Sequence, residues 1–175
     1  MHSCPDMSER IFSFDPVWRS DAKILILGSM PSVESLKQGF YYAHPRNAFW
    51  PMMAEILGEE KPESIGQKKD ILIRHRIALW DSAHSCEREG SLDSAIRAPR
   101  ANDFEMLYAN CPDIRHVFFN GAAAFELYRR LVAKEDGRRT FHRMPSTSPA
   151  YTLKYESKRA AWEQALKEAG IDESH

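Results

Sequence analysis

The stretch from Gly28 to Trp50, GSMPSVESLKQGFYYAHPRNAFW, gathers side chains suited to a flat ligand with a polar edge. Gly28 and Pro31 shape a tight loop whose backbone N–H groups can face an anion or a carbonyl oxygen. Phe40, Tyr41, Tyr42, Phe49 and Trp50 supply aromatic faces, and His44, Arg46 and Asn47 stand among them as cationic and amide groups. Rings that stack and amides that donate and accept are what a pocket for a planar heterocycle requires. Two further segments carry related chemistry. In Phe118-Phe119-Asn120-Gly121 one amide offers both a donor and an acceptor, and Met144-Pro145-Ser146-Thr147-Ser148-Pro149-Ala150-Tyr151 is a hydroxyl-rich loop. Each has a plainer reading: Asn47 and Asn120 are favoured helix caps, and Ser-Thr-Ser-Pro is common turn chemistry.

These segments need elements to hold them together. Four short apolar runs, Ala22 to Leu27, Ile77 to Trp80, Ile114 to Phe119 and the weaker Thr140 to Met144, read as strands. The first three are apolar rather than alternating, which suits a sheet covered on both faces. Helical spacing marks Asn47–Leu57, Ile65–Arg76, Asp103–Asn110, Ala122–Ala133 and Tyr155–Ala169, with Asn102 or Asp103 as the cap of the third. Strands alternating with helices predict a three-layer α/β/α sandwich around a central parallel sheet of about four strands, in one domain over residues 1–175. Sites in such sheets lie beyond the carboxyl ends of the strands. The four runs end there in Gly28–Ser32, Asp81-Ser82, Asn120-Gly121 and Pro145–Pro149, so residues distant in sequence are expected to converge.

Composition narrows the class. The chain has 175 residues, 43% hydrophobic and 28% charged, and no apolar run approaches the roughly 20 residues of a membrane span. The N-terminal MHSCPDMSERIF lacks the apolar core of a secretory signal, so the cytoplasm is expected. Cys4, Cys86 and Cys111 are odd in number and scattered, which predicts free thiols. His75, His84, His116 and His142 show no metal-ligand spacing, and no metal or cofactor is expected. A net charge of −1 does not announce a nucleic-acid partner, but Arg129, Arg130, Lys134, Arg138, Arg139 and Arg143, followed by Lys154, Lys158 and Arg159, are either a phosphate-facing surface or a solvated one. Neither GxGxxG nor GxxxxGK[ST] occurs, which argues against a dinucleotide or P-loop enzyme.

The run Tyr42-Ala43-His44-Pro45-Arg46-Asn47-Ala48-Phe49-Trp50 resembles the first motif of the uracil-DNA glycosylase superfamily, in the form found in mismatch-specific uracil/thymine-DNA glycosylases. Gly28-Ser29-Met30-Pro31-Ser32, Trp80-Asp81 and the run from Ser85 to Asp93 (SCEREGSLD) are more similar to the hypoxanthine-DNA (deoxyinosine) glycosylase branch. The similarity extends from about Lys23 to the helix after Tyr151. It implies a monofunctional enzyme that hydrolyses the N-glycosidic bond of a deaminated base, hypoxanthine first, and leaves an abasic site. Uracil or xanthine excision, or a non-catalytic relative that only binds lesions, are the alternatives.

By that resemblance Asn47 is the catalytic residue and positions a water. Gly28, Ser29, Met30 and Asn120 read the base, with Phe40, Tyr41 or Phe49 stacking on it. Ser32, His44, Arg46, Ser146, Thr147 and Ser148 meet the DNA, and Tyr151 or Ala150 wedges into the stack. Met30 stands where several branches carry Asp or Asn, and Ser146 where others carry His or Asn, which fits the hypoxanthine branch better than an efficient uracil enzyme. Asp81 is expected to orient the site through a backbone amide of the first motif, and Glu87, Glu89 and Asp93 read as a solvated loop. The expected partner is double- or single-stranded DNA bearing a deaminated base, approached by a monomer.

Overall fold

The computed structural model describes residues 10–171. The N-terminal segment with Cys4, on which the targeting and one of the thiol expectations rest, lies largely outside the described residues.

In chain order the elements are strand β1 (Arg10–Phe12), β2 (Ile24–Gly28), helices α1 (Val33–Gln38), α2 (Phe49–Leu57) and α3 (Ile65–Arg74), strands β3 (Ile77–Asp81), β4 (Ala83–Glu87) and β5 (Arg97–Ala101), α4 (Phe104–Asn110), β6 (His116–Asn120), α5 (Ala122–Leu131), β7 (Thr140–Met144) and α6 (Tyr155–Glu168). A short 3-10 turn, Asp93–Ala95, precedes β5. The central sheet is parallel with order β3-β2-β6-β7, four strands as the apolar runs predict. Its register is continuous, from Ile24 opposite Ile77 and His116 to Asn120 opposite Met144.

Neighbouring residues of one strand face opposite layers. Phe118 stacks on Trp162 of α6, while Phe119 meets Tyr128 of α5 edge-on. The central strand β2 is closed on both sides, and Ile24, Leu25, Ile26 and Leu27 are all fully buried. At roughly 1.5–3 kcal/mol for each buried aliphatic side chain, that strand fixes the layers and thereby the place where its loop emerges. The three layers are those expected from the alternation of strands and helices.

A second sheet, β1-β4-β5, is antiparallel and was not expected. Its strands are short, β5 is largely exposed, and the ladder between β4 and β5 shifts register, so no clean alternation reaches the sequence. It covers a small apolar cluster of Met30, Ala83, Cys86 and Leu127. Asp103 caps α4 through Met106 N–H. Its neighbour Asn102 instead donates to the Asp81 and Ala83 carbonyls and pins the corner between β3 and β4. Among the described residues no helix is long and apolar enough to cross a membrane.

Candidate functional site

The carboxyl ends of the four parallel strands open into one cleft. Gly28 to Ser32, Tyr41, Tyr42, Asn47, Asp81, Asp93, Asn120 and Ser146 to Ser148 line it, with Ser35 and Ser91. The residues named from the separate motifs thus meet.

Each wall is tied to another by hydrogen bonds. The Gly28 carbonyl accepts from Ser82 N–H at 2.7 Å, the Ser29 hydroxyl donates to Asp93 at 2.6 Å, and the buried Arg88 guanidinium donates to the Pro31 carbonyl. Val33 N–H donates to Ser91 Oγ, which docks the start of α1 onto the loop before β5. On the opposite wall Ala48 N–H donates to the Thr147 carbonyl at 3.0 Å. Asn120 accepts from Thr147 N–H at 2.9 Å and donates to Thr147 Oγ1 at 3.0 Å. Below them Trp162 Nε1–H donates to the Pro145 carbonyl, and Lys158 to the Ser148 carbonyl. Two glycines are dictated by this crowding. A Cβ on Gly28 would stand 2.6 Å from Asp81 Oδ1 and 2.8 Å from the Tyr42 hydroxyl, while Gly121, at φ +101°, lies against Ser146.

The two asparagines are used differently. Asn47 sits in the turn where its own N–H donates to the His44 carbonyl, and its Oδ1 accepts from Phe49 N–H at 3.0 Å. That bond steers the entry to α2, whose N-cap, Ala48, has no side-chain bond of its own. The second lone pair of Oδ1 and the Nδ2 protons make no bond to a described residue. Asn120 has both ends of its amide on Thr147, and α5 begins from Gly121 with no side-chain cap. Asn120 lines the cleft and also clamps the 145–149 loop, with one Nδ2 proton and one Oδ1 lone pair free of bonds to described residues.

Among the aromatics, Phe40 and Phe49 are core residues, 4% and 0% exposed. Phe40 stacks on Trp50, and Phe49 packs against Tyr42 and Trp162, so neither can reach a ligand in the cleft. Tyr41 lines the cleft but is 2% exposed, and its hydroxyl donates to the Phe14 and Asp15 carbonyls. The ring left facing the cleft is Tyr42, backed by Phe49 at 4.3 Å and held at φ +54°. Four consecutive-looking aromatics gave no means of choosing among them. The backbone turn makes the choice. The Met30 side chain packs into the small cluster under the second sheet, so what it offers the cleft is main chain.

His44 is folded back on its own turn, accepting from Arg46 N–H at 3.0 Å, and does not line the cleft. Arg46 and Tyr151 line a second, open groove that shares Asn47 with the cleft, together with Ala48, Pro149, Leu153 and Lys158. Tyr151 is 47% exposed there, with the Lys158 ammonium 5.5 Å from its ring. Ala150 is exposed beside it. In the basic run from Arg129 to Arg143, Arg129 pairs with Glu126, Arg139 pairs with Asp136 and lies over the Tyr108 ring at 3.6 Å, and Arg143 lies over Phe125.

Asp81 does not bond an amide of the first motif. Its Oδ2 accepts from Ser13 Oγ at 2.8 Å, and burial holds its proton on up to about 7. Burial likewise raises the Tyr42 phenol, Asp81 adds to it and the nearby Asn120 amide opposes it, and the hydroxyl makes no hydrogen bond of normal geometry to a described residue. Asp93, expected on a solvated loop, enters the cleft through its bond to Ser29. The signal that could have found it is its place in the SCEREGSLD run, directly before the second edge strand. Among the described residues no three His, Cys, Asp or Glu side chains group as a metal site.

Comparison with known proteins agrees with this geometry. The uracil DNA glycosylase superfamily model matches residues 16–169. A hypoxanthine DNA glycosylase of Methanosarcina barkeri is 34% identical over 155 residues, covering 88% of this chain and 96% of that protein. One of Methanosarcina acetivorans is 36% identical over the same shares. A solution NMR structure from Methanosarcina acetivorans, of a protein provisionally named a uracil DNA glycosylase, superposes with a TM-score of 0.77 at 32% identity, covering 93% of this chain and 99% of that one. The chain therefore belongs to the uracil DNA glycosylase superfamily.

Proposed function

We propose that this DNA glycosylase releases hypoxanthine from deoxyinosine in DNA and leaves an abasic site. The observation that carries the reading is the meeting of Tyr42, Asn47 and the Gly28–Ser32 backbone in one cleft at the strand ends. Relatives at 34% and 36% identity that are named hypoxanthine DNA glycosylases support the choice of base.

In this reading the target nucleotide rotates out of the stack, its base lies on Tyr42, and its polar edge faces the 28–32 backbone. Asn47 holds a water through its Nδ2 protons and the free lone pair of Oδ1. Bond cleavage passes through an oxocarbenium-like sugar, with negative charge growing on the base. Donors fixed in the cleft stabilise that charge without reorganising. Ser32, Ser146 and Ser148, which line the cleft, receive phosphates in this reading, and Arg46 and Tyr151 of the neighbouring groove extend the contact. The enzyme acts as a single-domain monomer in the cytoplasm.

A panel of otherwise identical duplexes carrying uracil, hypoxanthine or xanthine, scored for abasic sites under single-turnover conditions, tests the reading. Hypoxanthine release at least tenfold faster than uracil release is the expected result. Faster uracil release overturns the choice of base, and tight lesion binding without release from any duplex overturns the enzyme.

A further inference from the structure

Asp81 is a carboxyl group in an unusual position. It ends β3, is 2% exposed, and is fixed from two directions by Ser13 Oγ on Oδ2 and by Asn102 on its backbone oxygen. Oδ1 has no hydrogen-bond partner among the described residues. It lies across the floor of the cleft, over Gly28, at the place where the Tyr42 hydroxyl also arrives. The Tyr42 hydroxyl, a buried polar atom, shares with Asp81 Oδ1 a spot that a side chain on residue 28 would obstruct, and such unused bonding capacity is costly unless something else completes it.

We propose that Asp81 is a further catalytic residue of the cleft, donating the proton on Oδ1 to a ring nitrogen of the departing deaminated purine. The proposal rests on the reading of the cleft as a purine-releasing glycosylase site. In the step, the bond between the sugar carbon and the base breaks and its electron pair goes to the base. The Oδ1–H bond breaks in turn and its proton goes to the ring nitrogen, so the base leaves neutral. Water adds to the sugar cation and gives up a proton to solvent, and the Asp81 carboxylate regains one from solvent. No oxidant, metal or further reactant is needed.

The surroundings keep the acid protonated. Burial acts first, and the carboxylate of Asp93 on the 3-10 turn adds to it. Arg88, after β4, acts in the opposite sense, as does the bond from Ser13. Tyr41 and Tyr42, from the loop before α2, face Asp81 as neutral phenols, their own ionisation opposed by burial and then by Asp81. The resulting value of about 7 is where an acid can both hold its proton and release it. The sign follows: the protonated form is the active one, so the rate is full below about 7 and falls as pH rises through it.

Single-turnover release of hypoxanthine from a deoxyinosine duplex, measured from pH 5.5 to 8.5 for the wild type and Asp81→Asn, decides it. The wild-type rate is expected to fall about tenfold per pH unit above the break. Asp81→Asn, which keeps shape and a donor but has no transferable proton, is expected to be about 10²-fold slower at pH 6 and flat with pH, with lesion binding retained. A wild-type profile without the falling limb overturns the proposal whether or not the variant folds, and so does a variant that keeps the limb. A wild type that releases uracil but not hypoxanthine overturns the purine reading instead.

Discussion

The turn at Asn47 and the strand end at Asn120 place the same amide on two sides of one cleft, and the fold engages the two to different extents. Asn120 closes a two-bond ring with Thr147 that joins β6 to the 145–149 loop. Asn47 uses one lone pair to start α2 and keeps the remainder toward the cleft. Residue type did not separate them. What separates them is whether a neighbouring backbone N–H and hydroxyl engage both ends of the amide. Asn47 is the half-buried one of the two, and its Nδ2 is the amide nitrogen that makes no bond to a described residue.

The largest effect expected from breaking this contrast is at Asn47. Asn47→Ala removes the amide whose Nδ2 protons are both free of bonds to described residues, and base release should fall by on the order of 10²–10³ in single-turnover rate. Lesion-DNA binding, read by gel shift, should persist. Stability should fall by only about 1 kcal/mol, the worth of a lost bond at a helix start. Unchanged turnover would remove Asn47 from the mechanism.

Asn120→Ala should show the reverse balance. It strands Thr147 N–H and Oγ1, both buried, at a cost of about 2–3 kcal/mol, or a melting temperature lower by roughly 5–10 °C for a chain of this size. Activity should follow the loss of the folded loop and recover on cooling. A variant that melts like the wild type yet releases no base would make Asn120 a direct reader of the base and erase the contrast.

Much of this framework was legible in the sequence. The four runs ending in polar residues gave the parallel sheet, and the ends gave the cleft, because strand burial and crossover geometry are properties that local pattern encodes. Asp81 and the Gly28–Ser32 loop could be placed at the cleft for the same reason, and Asn47 by the aromatic and amide segment that holds it. The remainder depended on contacts across the fold. The choice of Tyr42 over Phe40 and Phe49 is set by a residue at positive φ, and the inclusion of Asp93 by a sheet whose strands are too short and irregular to show a period. The proton held by Asp81 depends on the depth at which its strand end is buried, which no spacing records.

Thr147→Val is the smallest of these perturbations and the most selective. It keeps the backbone bond to Asn120 Oδ1 and deletes only the acceptor of Asn120 Nδ2, so the second amide becomes one-ended like the first. The valine fills nearly the same buried volume, and the cost is that of one unsatisfied amide, about 1–2 kcal/mol. If availability of the amide were enough to make a catalytic group, freeing Asn120 would change the rate or the preference among bases. The expectation is a melting temperature lower by roughly 2–6 °C with hypoxanthine release within about threefold of the wild type. Asn120 lies at the end of β6 under the loop it clamps, whereas Asn47 projects from a turn shared by the cleft and the open groove beside it. A tenfold shift of preference toward uracil in this variant would mean that Nδ2 of Asn120 reaches the base once released, and that the clamp itself sets specificity.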